Sequence, residues 1–414
     1  MGIKGTLARL QSKGARYWIW AAFAGGGGLW LGHSLADRPL GPLEPFRLAV
    51  YQLLSHSGHR ETRLDELAVV RVTDEEFWKG ELAGRRPTNR TYLGRLLSAV
   101  CEADPVVVAL DLDLSSPFPD GEPLTHQAYV QETENLAAAV SNAHCRVVLP
   151  VTLSCPHPPN GECKRRPNAL DAYQFDPKLI SYGYINVPTD PRQIPLSRAN
   201  VTGGSLGSFA QALVAVKNNT PQNPLHGGVY RFPYGSFVPE STFEHAHRVV
   251  SASEILEPHN ANALATLHHK AVLIGAAWHV NRYHDSGGPI VDSHSSPAGS
   301  IAGVFLHANY AAAILDHTAV ESVGEPVSLT LEAFVVAVIA IVFALDMSWL
   351  KRWLHIIAVT LLLGLISYVF WQNLGIFLEV TAPALLLLLH AVVEEYRACP
   401  FFSPESDRPL RFMS

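Results

Sequence analysis

The side chains of this chain best suited to chemistry fall into two groups. Five of them, His279, His284, Asp285, Asp292 and His294, crowd into sixteen residues. Imidazole beside carboxylate is the ligand vocabulary of a divalent metal. The spacing fits no metal motif, however, and Gly287-Gly288-Pro289 leaves the segment without a fixed geometry. The expectation is a solvated polar loop and no metal site, and the pairs His245/His247 and His268/His269 are read in the same way. The second group is Asp111, Asp285, His307 and Asn309. Asp111 closes an apolar run that reads as a buried strand, with Asp113 just beyond it, and open α/β sheets bind ligands beyond the carboxyl ends of their strands. If Asp285, His307 and Asn309 reach the same edge, the four line a pocket for a ligand or a protein partner. The other reading has these groups capping helices and tying loops through hydrogen bonds, as buried polar groups must. No nucleophile elbow, phosphate-binding loop or pair of catalytic carboxylates occurs, and Ile274-Gly275-Ala276-Ala277, with one glycine, is not a dinucleotide fingerprint. The chain is therefore expected not to be an enzyme, and no catalytic residue or cofactor is assigned.

The elements that must position these groups alternate between strand and helix patterns. Leu67–Val72, Pro105–Leu112, Arg146–Val151 and Ala271–Gly275 are strand runs. The run at 105–112 is almost continuously apolar, as a parallel strand covered on both faces requires. Thr91–Ala103, Val130–Ala143 and Val304–Leu315 carry apolar residues at helical spacing. Strand–helix–strand repeats of this length imply right-handed crossovers and a mostly parallel sheet with helices on both faces. Between Leu153 and Phe243 the pattern dissolves into Pro, Asn, Gly and Ser, read as loops and short antiparallel pieces with at least one short helix near Phe209–Val216.

Four hydrophobic stretches flank this region: 17–35, 327–345, 353–370 and 374–393. A bilayer core needs roughly 20 apolar residues as helix, so the fold class expected is an α/β domain plus four transmembrane helices. Basic residues gather in 1–16, at Lys351-Arg352 and in the tail 394–414. By the positive-inside rule those segments are cytoplasmic and 37–325 lies outside. Gly25-Gly26-Gly27-Gly28 is costly in an isolated helix but lets another helix approach closely within a bilayer; it is expected to pack against the C-terminal bundle. Glu379 and His390 lie in the last stretch, on either side of Pro383. They either reach the membrane interface or make polar contact with a partner helix. In an oxidising compartment Cys155 and Cys163 pair across a loop of turn formers; the alternative is two free thiols. A net charge of −6 with 16% charged residues argues against nucleic acid as a partner. Membrane lipid and another membrane or cytoplasmic protein are the partners expected, with a homo-oligomer allowed.

Four stretches of 37–325 resemble the type 2 CHASE domain, a bacterial extracytoplasmic sensory domain. They are Val69–Glu75, a strand ending in an acid; Arg85-Arg86-Pro87 with the following helix and the strand ending at Asp111; Lys270–Ala277 with Asp285 downstream; and Gly303-Val304-Phe305-Leu306-His307-Ala308-Asn309. The resemblance implies an α/β sensory domain preceded by one membrane helix and followed by three. Only 21 residues follow the last hydrophobic stretch. The expectation is thus a sensor-like protein that acts through a separate partner. The alternative is an accessory subunit using the same domain as a docking platform.

Overall fold

The computed structural model describes residues 64–321 apart from 86–87, 116–126, 156–162, 189, 191, 197–198, 202–203, 221–229, 233–235, 259 and 281–288, together with position 49 and scattered positions in the flanking hydrophobic stretches. The chain divides into two compact units, 51–320 and a second composed of 1–50 and 321–414. Among the described residues no helix is long and apolar enough to cross a membrane. Most of the four hydrophobic stretches lies outside the described residues, as do Gly25, Gly26, Gly27, Gly28, Asp285, Glu379 and His390.

The unit 51–320 is built on a parallel sheet of six strands: β1 (Leu67–Val72), β2 (Val107–Asp111), β3 (Val147–Val151), β4 (Ile180–Tyr184), β5 (Val249–Ser251) and β6 (Ala271–Ala276). Their order is β5-β1-β6-β2-β3-β4, and every neighbouring pair is parallel. β2, β3 and β6 are buried along their whole length, so their near-continuous apolar composition follows from cover on both faces. One layer consists of α1 (Arg90–Cys101), α2 (Gln127–Ser141), α5 (Ala252–Leu256) and α6 (Ala261–Leu267). Leu96, Leu97, Leu136 and Leu267 of this layer share a core with Val70, Leu110, Leu149 and Ile274 of the sheet. The opposite layer contains α3 (Phe209–Asn218) and α7 (Gly303–Leu315), which pack on each other and on the sheet. A one-turn helix, α4 (Glu240–His245), leads into β5. An antiparallel hairpin, β7 (Ser293–Ser296) and β8 (Gly299–Ala302), joins the region after β6 to α7.

Local sequence sets the helix starts. Asn89 accepts bonds from the Thr91 and Tyr92 amides at the head of α1, and Ser208 with Gln211 and Ser251 with Glu254 form reciprocal capping boxes for α3 and α5. The turn before α1 is held by two arginines. Arg85 grips Glu132 of α2 with both ends of its guanidinium at 2.5 and 2.7 Å, and buried Arg90 bonds Thr133 at 2.8 Å and lies 4.2 Å over the Tyr129 ring. Two glycines let the second layer come close. A Cβ on Gly183 would lie 2.6 Å from the Phe209 Cα, and one on Gly275 would lie 2.5 Å from the Val304 Cβ.

The structure corrects the reading of 153–243 as loops and antiparallel pieces. Short antiparallel pairs are present, at Leu153–Ser154 with Lys164–Arg165 and at Gln193–Ile194 with Tyr230–Arg231. The same region also supplies β4, a parallel strand of the main sheet. Ile180-Ser181-Tyr182-Gly183-Tyr184 lacks the run of branched aliphatics that marks the other strands, because Gly183 is reserved for contact with the α3 backbone. Gly275→Val should cost about 1–3 kcal/mol through overpacking against Val304. Thermal unfolding of the full chain in mild detergent checks this; an unchanged midpoint would show that α7 does not sit on β6 as described.

Candidate functional site

Position in the sheet singles out the two crevices beside β6. β1 and β2 each leave the sheet's carboxyl edge toward the α1 layer, whereas β6 leads to α7 on the opposite face. β6 is thus flanked on both sides by a reversal of the connection, the position at which α/β sheets open a crevice. An aspartate–histidine pair stands in each crevice.

Between β1 and β6 the pair is Asp74 and His279. Asp74 accepts the His279 amide at 2.8 Å and lies 2.6 Å from His279 Nδ1. Trp78 Nε1 donates to the His279 carbonyl at 3.1 Å, and Trp278 stacks on Phe77 at 4.2 Å. These contacts lock the peptide that follows β6. With Nδ1 turned to Asp74, the ring presents Nε2 as its other polar atom. The His279 side chain is 28% exposed and that of Asp74 is 43% exposed, so this pair meets solvent. Below it, buried Glu76 accepts the Thr73 amide at 2.8 Å and the Ser253 amide at 2.9 Å, tying the exit of β1 to the start of α5.

Between β6 and β2 the pair is Asp111 and His307, 3.5 Å apart and each 3% exposed. The His307 ring meets Phe209 and Tyr310 edge-on at 5.3 and 5.6 Å. Burial strips water from both groups and disfavours charge on either. It pushes His307 down to about 4, with Asp292 and the Ile185 backbone opposing the shift and His294 adding to it. It pushes Asp111 well above the carboxylate range, and the nearby Asp292 charge adds to the effect. A protonated Asp111 beside a neutral His307 carries no net charge. A second pair borders it, His294 Nε2 lying 2.8 Å from Asp292 Oδ1. Burial opposes the Asp292 charge, but the His294 bond and the His294 and His307 rings outweigh it and hold that carboxyl below its usual range.

Gly303 belongs to this arrangement in a way its sequence context conceals. Its place before α7 suggests a turn, yet its φ is not among the positive values of the described residues. Its amide donates to the Asp292 carbonyl at 2.8 Å, and a Cβ there would collide with Asp292 Oδ2. The glycine makes room for a carboxylate.

The structure therefore brings Asp111 and His307 together. Asn309 does different work: its amide exchanges bonds of 2.7 and 2.9 Å with the Val238 backbone and donates to the Phe305 carbonyl at 2.8 Å. Asp285 lies outside the described residues. The crowded segment 279–294 separates, His279 going to Asp74 and His294 to Asp292. Cys155 and Cys163 form a disulfide. A second disulfide, Cys101–Cys145, links the end of α1 to the start of β3. Asp74 is a site residue that spacing alone does not reveal, whereas Asp292 and His294 belong to the cluster read from the sequence as a solvated polar loop. The one signal for Asp74 is its place just past a strand run.

The Asp111–His307 pair fixes a sign for the pH dependence of stability. A raised Asp111 contributes stability at low pH that is lost as pH rises from its unfolded value near 3.9 toward its folded value. A depressed His307 contributes stability above its unfolded value near 6.5 that is lost as pH falls toward about 4. While Asp111 stays protonated in the folded state, the two slopes oppose each other between about pH 4 and 6.5. Asp111→Asn removes the loss due to Asp111. As pH rises from 5 the variant should gain on wild type, by up to about 1.4 kcal/mol per pH unit while Asp111 stays protonated, whatever its absolute stability. Unfolding of both proteins from about pH 5 to 8 is the measurement, and parallel curves would refute a raised Asp111 carboxyl.

The CHASE2 domain family matches the chain over residues 28–345. No curated protein and no solved structure matches it. The match covers more than half of the chain and takes in the whole sheet, both crevices and parts of the flanking hydrophobic stretches. The chain belongs to the CHASE2 domain family, a bacterial extracytoplasmic sensory domain.

Proposed function

We propose that this protein is an inner-membrane sensor whose α/β domain binds a ligand or a protein outside the cytoplasm and passes a conformational bias to a partner. The observation that carries this reading is the half-open Asp74–His279 pair at one switch point, next to the closed Asp111–His307 pair at the other. A recognition surface needs polar groups that meet solvent on a scaffold that does not move. The first pair supplies the former, and the second, with Gly275 pressed under α7, supplies the latter.

Four membrane crossings, with both termini in the cytoplasm, are part of the proposal. Among the described residues the exposed large hydrophobic side chains all fall in the stretches 17–35, 327–345 and 353–370, Phe334 and Leu361 being the most exposed at 67 and 68%. Apolar surface of that kind calls for lipid or another protein. The basic clusters supply the orientation, and two disulfides suit an oxidising compartment. Binding outside influences the inside only by favouring one of two states of the protein. The helix faces, Lys351-Arg352 and the tail 394–414 are the surfaces proposed to present that state to the partner.

A second reading, an accessory subunit that uses the domain as a docking platform, is favoured by the way Asn309 and Asp113 spend their hydrogen bonds on neighbouring loops. Purification in mild detergent tests both. A stoichiometric partner, membrane or cytoplasmic, should accompany the full chain, and a strictly lone monomer contradicts both readings. Asp74→Asn with His279→Gln should weaken the response to binding while leaving assembly intact if the protein is a sensor; unchanged response with intact assembly supports the platform. Topology has its own check. A membrane-impermeant maleimide should label Cys399 only after the membrane is opened; labelling of intact spheroplasts would reverse the orientation.

A further inference from the structure

At the opposite edge of the sheet from both crevices, two turns meet. One follows α1 and leads through Asp104 into β2; the other follows α6 and leads through His268 and His269 into β6. β2 and β6 are neighbours, with Ala271 beside Val107, so the two turns lie side by side. Backbone bonds stitch them: the His269 amide donates to the Asp104 carbonyl at 3.2 Å and the Val106 amide to the Lys270 carbonyl at 2.9 Å. Asp104 and His269 both hold left-handed backbone conformations, with φ of 53° and 55°. Non-glycine residues adopt that region infrequently.

Three side chains converge there. One ring nitrogen from each histidine and one carboxylate oxygen of Asp104 lie within 4.8 Å of one another, and the two imidazole centroids are 3.7 Å apart. His269 Nδ1 is 3.8 Å from Asp104 Oδ2. The His268 Nδ1 lies 3.1 Å from the Ala103 carbonyl. Donation to that carbonyl fixes the tautomer and makes Nε2 the nitrogen that carries the lone pair, the arrangement that orients metal-bound imidazoles. The nearest cation on the same turn, Lys270, is turned away to the Asp65 carbonyl. All three side chains are exposed, so water can complete the coordination.

We propose that Asp104, His268 and His269 form a surface site for a borderline divalent cation of the Zn²⁺ class. Bonds of about 2.0–2.2 Å in tetrahedral geometry place ligand atoms about 3.3–3.6 Å apart, within reach of small rotations of these side chains. Two imidazoles and one carboxylate select Zn²⁺, Cu²⁺ or Ni²⁺ over Mg²⁺ and Ca²⁺, which take oxygen ligands. Two histidines in sequence carry no such signal. The fold creates the set by placing Asp104, 164 positions earlier in the chain, beside them.

The test is calorimetric titration of the untagged full chain, stripped of metal in mild detergent, with ZnCl₂. Wild type should bind one Zn²⁺ that His268→Ala/His269→Ala weakens by about tenfold or more and His279→Ala leaves in place. Asp104→Asn and His269→Gln, single changes on an exposed surface, read the same loss if the double variant does not fold. Equal Zn²⁺ binding by wild type and these variants, no binding by wild type, or a loss caused only by His279→Ala would overturn the proposal.

Discussion

The constraint on which this structure rests is that β6 occupies the space between β1 and β2. The chain lays down β1 and β2 early and leaves a strand-wide gap between them, which β6 fills some 160 residues later. Filling it requires β6 to pair in parallel on both sides, at Val69 with Leu273 and at Ile274 with Leu110. The strand must be buried on both faces, which its sequence Ala-Val-Leu-Ile-Gly-Ala permits. It must also leave toward the face that α1 and α2 do not occupy. The two crevices are a consequence of that exit, and so is the nearness of α7 to Gly275.

Close packing over β6 then decides the chemistry of the carboxyl edge. Asp111 lies beside Gly275 in register, and α7 closes over them with His307. Two full charges sealed there would lose hydration that their attraction does not reliably restore, so an uncharged pair is the stable arrangement. Asp292 keeps its charge because it sits nearer the rim with His294, and the absent side chain of Gly303 makes its seat possible. The edge is thus graded from neutral and closed at Asp111–His307 to polar and open at Asp74–His279. That grading lets one structure combine a fixed floor with a surface that meets solvent.

Much of this was legible in the sequence, for reasons that differ by element. β1, β2, β3 and β6 announce themselves as apolar runs because parallel strands are buried on both faces, and α1 and α7 by helical spacing. β4 and β5 do not: one carries Ser, Gly and Tyr, and the other has three residues at an edge. The meeting of Asp111 and His307 follows from the strand-end rule and the helix-start motif. Other pairings depend on strand order, which local pattern does not encode. Asp74 with His279, Cys101 with Cys145, and Asp104 with His268 and His269 are each brought together only once β6 and β3 take their places. Gly303 shows the limit most plainly, since its need is for the volume of a carboxylate rather than for a turn.

The central claim is that the crevice between β6 and β2 holds an uncharged Asp111–His307 pair at the carboxyl edge of the sheet. The most direct measurement is the ¹⁵N imidazole spectrum of His307 in the full chain, labelled at histidine and assigned with His307→Gln. The account predicts a neutral imidazole throughout pH 5 to 8. An imidazolium at pH 7, or a titration midpoint near the ordinary value of about 6.5, would contradict it.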